Sequence, residues 1–240
     1  MEITNKKDLL SVHNHSLHID FFCQQSQNRY CLGDIVYGDG TVKGGSLLTD
    51  KKPIGVVIHL EKRLAMSLTY VKKNGTPGAE AMPWSSGAGC AVPNKFYNGL
   101  CSTCDTPTYK DSPHYVANDS ADGSVVTSQI LAATCNGTPY AAQACNAYQP
   151  EGCTSEFCRK GKWFLGTYPE FTYSNYSYIE KGLETAGGYL RLPERKDAFW
   201  TSTAVSATSM WEGNYGAGGG ANKKSLGSYL SYYARPLVKF

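Results

Sequence analysis

The segment Ile54-Gly-Val-Val-Ile-His-Leu60 decides the fold, because its β-branched apolar residues predict a strand that is mostly buried. The segment Arg63–Val71 follows closely and is the predicted antiparallel partner of that strand. Upstream, Tyr30–Thr49 contains Gly38-Asp39-Gly40 and predicts a short strand that ends in a hairpin turn. Together these segments predict a small sheet at the start of the fold.

Beyond this sheet, helical and strand patterns are separated by an irregular region. Residues 73–121 are rich in Gly, Pro, Asn, Ser and Thr, and we expect an irregular Cys-rich insertion there, with Trp84 as its internal anchor. The whole pattern indicates an α+β fold with small antiparallel sheets, two or three helices and long irregular disulfide-rich loops. The other predicted elements are helices at Asp122–Ala133, Tyr140–Tyr148 and Thr167–Glu184, a strand at Lys162–Leu165 and a closing strand at Arg235–Phe240. Asp122 or Ser124 is the predicted cap of the first helix, and Gly187-Gly188 is predicted to end the third.

The composition excludes several classes of partner. The 240 residues suffice for one large domain or two small ones. Charged residues make up 18% and the net charge is +3, which is too small and too scattered to predict nucleic acid or an anionic membrane as a partner. No run approaches the ~18 apolar residues that span a bilayer, and we expect a soluble chain.

The nine cysteines indicate an oxidising compartment, because all lie in the first two thirds of the chain where loops are expected. Their odd number requires at least one thiol without a partner in the chain. Cys101-Ser-Thr-Cys104 resembles half of a zinc site, but no second pair has the same two-residue spacing, and Cys153 and Cys158 are separated by four residues. Structural disulfides in a secreted or surface-displayed protein are the favoured interpretation.

The N-terminal residues 1–29 are predicted to form a polar leader. Charged side chains occur throughout Met1–Phe22, and the apolar core of a signal peptide is absent. We therefore expect any membrane attachment to depend on a segment absent from this chain. His13, His15 and His18 leave a fortuitous transition-metal site open as an alternative.

Three parts of the sequence together resemble a family of bacterial surface proteins. They are the opening Gly33-Asp-Ile-Val-Tyr-Gly-Asp-Gly-Thr41 with Pro53–Val57, the segment Lys162-Trp-Phe-Leu-Gly-Thr-Tyr-Pro-Glu170, and the ending Phe199-Trp-Thr-Ser-Thr203, Trp211 and Tyr233–Phe240. That family has a C-type-lectin-like fold related to the formylglycine-generating enzymes. The resemblance implies one domain over residues 30–240, with the insertion at 73–121 and a C-terminal recognition segment at 199–240. The chain departs from the family at Gly166, where proline is usual.

The same ending occurs in the variable proteins of diversity-generating retroelements. In those proteins, template-directed mutagenesis randomises positions between a fixed Phe-Trp pair and a fixed Arg-Pro pair, and the randomised side chains face the ligand. The resemblance implies that the fixed residues hold the scaffold. In this chain the implied scaffold anchors are Phe199, Trp200, Trp211, Arg235 and Pro236.

The stretch between these anchors has the composition of an antibody paratope. Ser, Gly, Tyr and Asn occupy 18 of the 33 positions from 201 to 233, and such residues combine rigid aromatic area with adaptable hydrogen bonding. Gly-rich surface loops without a ligand are the alternative. We expect the contact face to comprise Val205, Thr208, Met210, Glu212, Asn214, Lys223, Ser225, Leu226, Ser228, Tyr229, Ser231 and Tyr232.

No motif in the sequence indicates catalysis. The Gly-x-Ser-x-Gly, phosphate-loop and His-Glu-x-x-His patterns are absent. No cysteine follows Cys158, which excludes the chemistry of the formylglycine-generating relatives, and Glu212 stands nearly alone, so that no calcium site is expected. We predict no catalytic residues, no metal and no cofactor.

The predicted function is therefore binding, as a variable protein of a diversity-generating retroelement that recognises a protein or glycan ligand and no nucleic acid. An invariant structural or adhesive, pilin-like surface subunit with the same fold is the alternative. A third hypothesis is an enzyme that acts through residues 73–121, with His114 or the Cys101/Cys104 pair.

Overall fold

A computed structural model describes most of the chain and gives the bounds of its helices and strands. The described residues are 30–86, 122–132, 138–171, 176–192, 198–206, 209–214, 222–225 and 232–240. The strands are β1 (Ile35–Tyr37), β2 (Val42–Lys43), β3 (Pro53–His59), β4 (Leu64–Ser67), β5 (Phe164–Leu165), β6 (Ala198–Ser206), β7 (Ser209–Asn214), β8 (Asn222–Ser225) and β9 (Pro236–Lys239). The helices are α1 (Gly123–Ala132), α2 (Tyr140–Ala147), α3 (Tyr168–Phe171) and α4 (Tyr176–Thr185), with a 3₁₀ turn at Glu156–Cys158.

The larger sheet has six antiparallel strands in the order β2-β1-β3-β4-β9-β5. Strand β3 contains the deciding apolar run and lies in the interior of this sheet, where Val56 pairs with Ile35 on one side and Met66 on the other. The predicted strand at 54–60, its partner, the hairpin and the closing strand are confirmed. The α+β class and the small antiparallel sheets are likewise confirmed.

Both faces of the six-stranded sheet are buried. One face contributes Val57 and Val238 to a first core cluster that includes buried residues of α1 and α2. The other contributes Val56 and Leu237 to a second core cluster that includes buried residues of α4. The double burial explains the near-continuous apolar sequence of β3, because a strand covered on both faces loses the alternation of polar and apolar residues.

The helices begin and end as local capping chemistry requires. Of the two predicted caps of α1, Asp122 takes this position, with its Oδ1 atom accepting the Ser124 N–H at 3.0 Å. Gly187, at φ 77°, ends α4 as predicted, in the backbone geometry of a Schellman motif. The helix predicted at Thr167–Glu184 is found as two described helices, α3 and α4.

The cysteines within the described ranges follow the disulfide interpretation. Cys153 and Cys158 form a disulfide, and Cys31 is also disulfide-bonded. Cys145 is a free thiol in the core, and burial raises its pKa well above the usual range. Trp84 is buried, as predicted for the anchor of its region. The predicted leader 1–29 and the insertion from residue 87 to 121 lie outside the described residues.

Among the described helices, none combines the length and apolar character that crossing a membrane requires.

Candidate functional site

The candidate site is the smaller sheet, in which β7 lies between β6 and β8. Its strands are antiparallel, with Trp200 opposite Glu212 and Trp211 opposite Lys223. The pairing of β6 with β7 shifts register between Trp200 and Ala204. Helix α3 packs against both β6 and β7. The sheet is therefore joined to the rest of the protein along its inner side.

Indole hydrogen bonds fix the start of β6. The Trp200 Nε1–H donates to the Met82 carbonyl at 2.8 Å, and the Trp84 Nε1–H donates to the Thr201 carbonyl at 3.2 Å. Each bond joins two segments that are distant in sequence, and both indole rings are buried. These two bonds connect β6 to the irregular segment after Val71. They also provide acceptors for the two indole N–H groups, which are buried in the core.

Phe199 and Gly213 form a close cross-strand pair between β6 and β7. A Cβ atom built on Gly213 would overlap three carbons of the Phe199 ring, with the farthest of them 2.7 Å away. The Phe199 ring also packs on Phe171 of α3, with 4.6 Å between ring centroids. This position therefore requires glycine, because the Phe199 ring occupies the space that a Cβ would take.

Arg235 is a fully buried cation that holds the end of the recognition segment. Its guanidinium donates to the carbonyl oxygens of Ser67, Tyr189 and Leu190 at 3.0, 2.6 and 3.1 Å. The guanidinium carbon lies 4.2 Å from the centroid of the Tyr70 ring, within range of a cation–π interaction. In the described part of the chain, Arg235 has no carboxylate within salt-bridge distance. Carbonyl dipoles and an aromatic face replace the counterion.

Glu170 is a buried carboxylate that sequence reasoning did not identify as a site residue. Its two oxygens accept the backbone N–H of Gly123 at 3.1 Å and of Thr167 at 2.7 Å, at the starts of α1 and α3. Burial raises the pKa of the Glu170 carboxyl, although both hydrogen bonds act in the opposite direction. The signal in the sequence is the Thr167-x-x-Glu170 spacing of a capping box.

The expected contact face is partly corrected by the burial of two of its members. Met210 belongs to the first core cluster and is 0% exposed, and Glu212 is 3% exposed. Their assignment to an accessible face is wrong, because both side chains are buried and Met210 packs into the core. Tyr232 is half-buried, and its ring packs edge-on against Trp200 at 4.9 Å.

The remaining expected residues divide into those with a described backbone position and those without. Val205, Asn214, Lys223 and Ser225 lie in β6, β7 and β8, and so does the expected anchor Trp211. Thr208, Leu226, Ser228, Tyr229 and Ser231 lie outside the described residues. Of the expected anchors, Phe199, Trp200, Arg235 and Pro236 are buried. Within the described ranges, no three His, Cys, Asp or Glu side chains come together as potential metal ligands.

Comparison with known proteins yields a structural likeness and no sequence family. No protein-family model matches the chain, and no curated protein matches it. The crystal structure of a fimbrial protein from Bacteroides ovatus is similar, with a TM-score of 0.55 over 88% of this chain and 15% identity. This chain spans about half the length of that protein, since the match covers 49% of it. At this identity the likeness is one of fold, and the chain has a fold that a bacterial fimbrial protein also has.

Proposed function

We propose that this protein is a bacterial surface subunit of the adhesive or fimbrial type, without enzymatic activity. The observation that carries the proposal is the shared fold with the Bacteroides ovatus fimbrial protein over 88% of this chain. The disulfide between Cys153 and Cys158 supports export to an oxidising compartment. This proposal corresponds to the alternative favoured less by the sequence, an adhesive or pilin-like subunit.

The smaller sheet is the proposed contact region of that subunit. Indole bonds, the Phe199–Gly213 pair and the buried Arg235 hold both ends of the recognition segment. A rigid base reduces the entropy that a contact surface loses on binding, because its backbone is already ordered. The proposed ligand is a protein or a glycan and not nucleic acid, since the net charge of the chain is only +3.

A second candidate is the variable protein of a diversity-generating retroelement, with a C-type-lectin-like fold. The burial of Phe199, Trp200, Arg235 and Pro236 favours it, because these four residues bracket the segment that varies in that family. Sequencing the genomic neighbourhood tests this candidate. A reverse transcriptase beside a near-copy of the codons for 199–240 supports it, and identical segments in all strains without such a copy contradict it.

Two experiments test the main proposal. The first is immunogold labelling of intact producing cells, which we expect to decorate surface structures; labelling only after permeabilisation contradicts surface display. The second is a screen of the purified full chain on glycan and surface-protein arrays. We expect K223A/S225A in β8 to lose the array signal without loss of thermal stability.

Lys43→Ala is the matched control for that screen. Lys43 is an exposed residue in β2, at the edge of the other sheet, and its replacement also removes one positive charge. We expect this variant to bind as the unmodified chain does. Equal binding by the β8 variant and the control would contradict the assignment of the contact region to the smaller sheet.

A further inference from the structure

We propose that a cleft beside α4 binds a single neutral pyranose ring, at a site separate from the smaller sheet. The cleft encloses about 180 Å³. Pockets for drug-sized ligands begin at roughly 300 Å³, so this cleft accepts a ligand of about one ring. Its lining residues are Leu32, Gly33, Asp34, Ile35, Gly45, Tyr178, Lys181, Gly182 and Thr185. The proposal does not depend on the proposed function of the smaller sheet.

One face of α4 supplies a wall of the cleft. Tyr178, Lys181, Gly182 and Thr185 are spaced at i, i+3, i+4 and i+7, and such residues form one stripe along a helix. The other side of α4 carries buried residues that belong to the second core cluster, including Ile179 and Leu183. The core therefore fixes the rotation of the helix, and the stripe keeps its position relative to the cleft.

Glycines bring the backbone to the floor of the cleft. A Cβ atom on Gly182 would overlap the carbonyl of Gly33, and Gly33 itself adopts a positive φ of 84°. The chain around Gly33 thus lies directly against α4 without intervening side chains. Glycine in a helix interior costs about 1 kcal/mol relative to alanine, and here the close backbone approach explains its presence. The resulting floor leaves the cleft open above it.

The polar and aromatic groups of the cleft match the two kinds of surface on a sugar ring. Tyr178 is 48% exposed and offers an aromatic ring to the apolar C–H face of a pyranose. Asp34 accepts the Cys31 N–H at 2.7 Å through Oδ2, which leaves carboxylate lone pairs for sugar hydroxyls. Lys181 is exposed and, among the described residues, has no ion-pair partner, so its ammonium can donate to ring hydroxyls.

The charges of the cleft favour a neutral ligand. Asp34 disfavours an anion and Lys181 disfavours a cation, whereas a hydroxylated ring both donates to the carboxylate and accepts from the ammonium. Thr185 adds a hydroxyl oxygen to the same wall while its proton is donated to the Lys181 carbonyl at 2.8 Å. A neutral sugar is the ligand class that uses all of these groups.

The test is titration of the isotope-labelled full chain with a panel of neutral methyl glycosides, followed by amide chemical shifts. A ligand of about twelve heavy atoms at ordinary ligand efficiency binds with Kd on the order of 1 mM. We expect at least one glycoside to shift the amides of Gly33, Gly45 and Gly182. Tyr178→Ala should weaken that binding about tenfold, while Tyr178→Phe, which keeps the ring, should bind nearly as the unmodified chain does.

Val125→Ala is the matched control, because Val125 is equally exposed at 48% but lies on α1. It should leave binding unchanged. If Tyr178→Ala fails to fold, Lys181→Ala serves in its place, since removal of an exposed lysine leaves the core intact. The proposal is overturned if no glycoside shifts the three glycine amides, or if Tyr178→Ala and Lys181→Ala bind as the control does. The β8 variant K223A/S225A should bind glycoside normally, which separates this test from that of the proposed function.

Discussion

Gly213→Ala is expected to destabilise the smaller sheet by forcing the Phe199 ring out of its site. The new Cβ would lie within 2.7 Å of three ring carbons. Carbon atoms pack at about 3.5 Å or more, so even the farthest of the three must move by about 0.8 Å. The ring is buried and packs on Phe171, with 4.6 Å between centroids, which restricts that movement.

The magnitude follows from measured costs of overpacking. Extra methyl groups in a well-packed core cost about 1–3 kcal/mol, and the confinement of Phe199 between two strands and α3 places this change at the upper end. For a chain of this size, each kcal/mol lowers the Tm by roughly 2–4 °C. The assay is urea unfolding of the disulfide-intact chain, in which the midpoint should fall while the slope stays constant.

A compensating variant makes the prediction specific. Phe199→Leu alone should destabilise the chain, because a smaller side chain leaves a void next to Phe171. In the double variant F199L/G213A, the new methyl group fills part of that void. The loss of stability in the double variant should therefore be smaller than the sum of the losses in the two single variants. The steric argument would be refuted if the free energy of unfolding of Gly213→Ala lay within 0.5 kcal/mol of that of the unmodified chain. Strict additivity of the two single variants in the double variant would refute it as well.

Three further predictions concern the buried polar groups and the disulfide. Arg235→Met should cost about 2–4 kcal/mol in urea unfolding, because the carbonyls of Ser67 and Tyr189 each lose the guanidinium as a donor. Because the pKa of Glu170 is raised in the folded chain, its contribution to the free energy of unfolding should decline as pH rises from the pKa of the unfolded chain through that of the folded chain. Glu170→Gln should abolish this decline in a pH series of unfolding curves. C153S/C158S should lower stability by about 2 kcal/mol, the loop entropy for a separation of 5 residues, and an unchanged Tm would contradict this role.

The sign of the pH prediction follows from proton binding. Because burial raises the pKa of Glu170, the folded chain holds this proton at pH values where the unfolded chain has released it. Stability falls with pH in that window. A steeper decline in Glu170→Gln than in the unmodified chain would contradict the assignment, and Glu156→Gln is a control because Glu156 is exposed.

Local signals in the sequence were sufficient to predict the strands of the larger sheet, the start of α1 and the end of α4. The apolar run at 54–60 indicated a buried strand, since only a sheet interior accommodates so many adjacent β-branched side chains. The cap at Asp122 and the stop at Gly187 depend on bonds within a few residues. Such interactions are encoded in neighbouring positions, and a single sequence is enough to identify them.

The buried polar contacts could not be predicted in the same way, because their partners are far apart in the chain. Glu170 binds Gly123 across 47 positions, and Arg235 binds Ser67 across 168. Paratope-like composition predicted that Met210 and Glu212 are accessible, whereas both are buried, and Met210 belongs to the first core cluster with Trp84 and Trp200. Composition alone carries no information on such long-range packing.

Gly166 lies where three elements of the fold meet. A Cβ at this position would lie 2.5 Å from Leu237 and 2.7 Å from Phe171, and the Gly166 carbonyl accepts the Ser202 N–H at 2.8 Å. This position therefore joins β9, α3 and β6 at close quarters. Glycine permits this approach, because it brings no side chain into the junction.

The anchors at both ends of the recognition segment contribute to stability, whereas the proposed contact residues contribute to binding. The described side-chain hydrogen bonds of Trp200 and Arg235 run to Met82, Ser67 and residues 189–190, all of which precede the segment. Substitutions at these anchors should therefore lower stability in unfolding assays, whereas substitutions at Lys223 in β8 should change binding at constant stability. For the proposed surface subunit, this separation allows contact residues to change while the core that holds them is preserved.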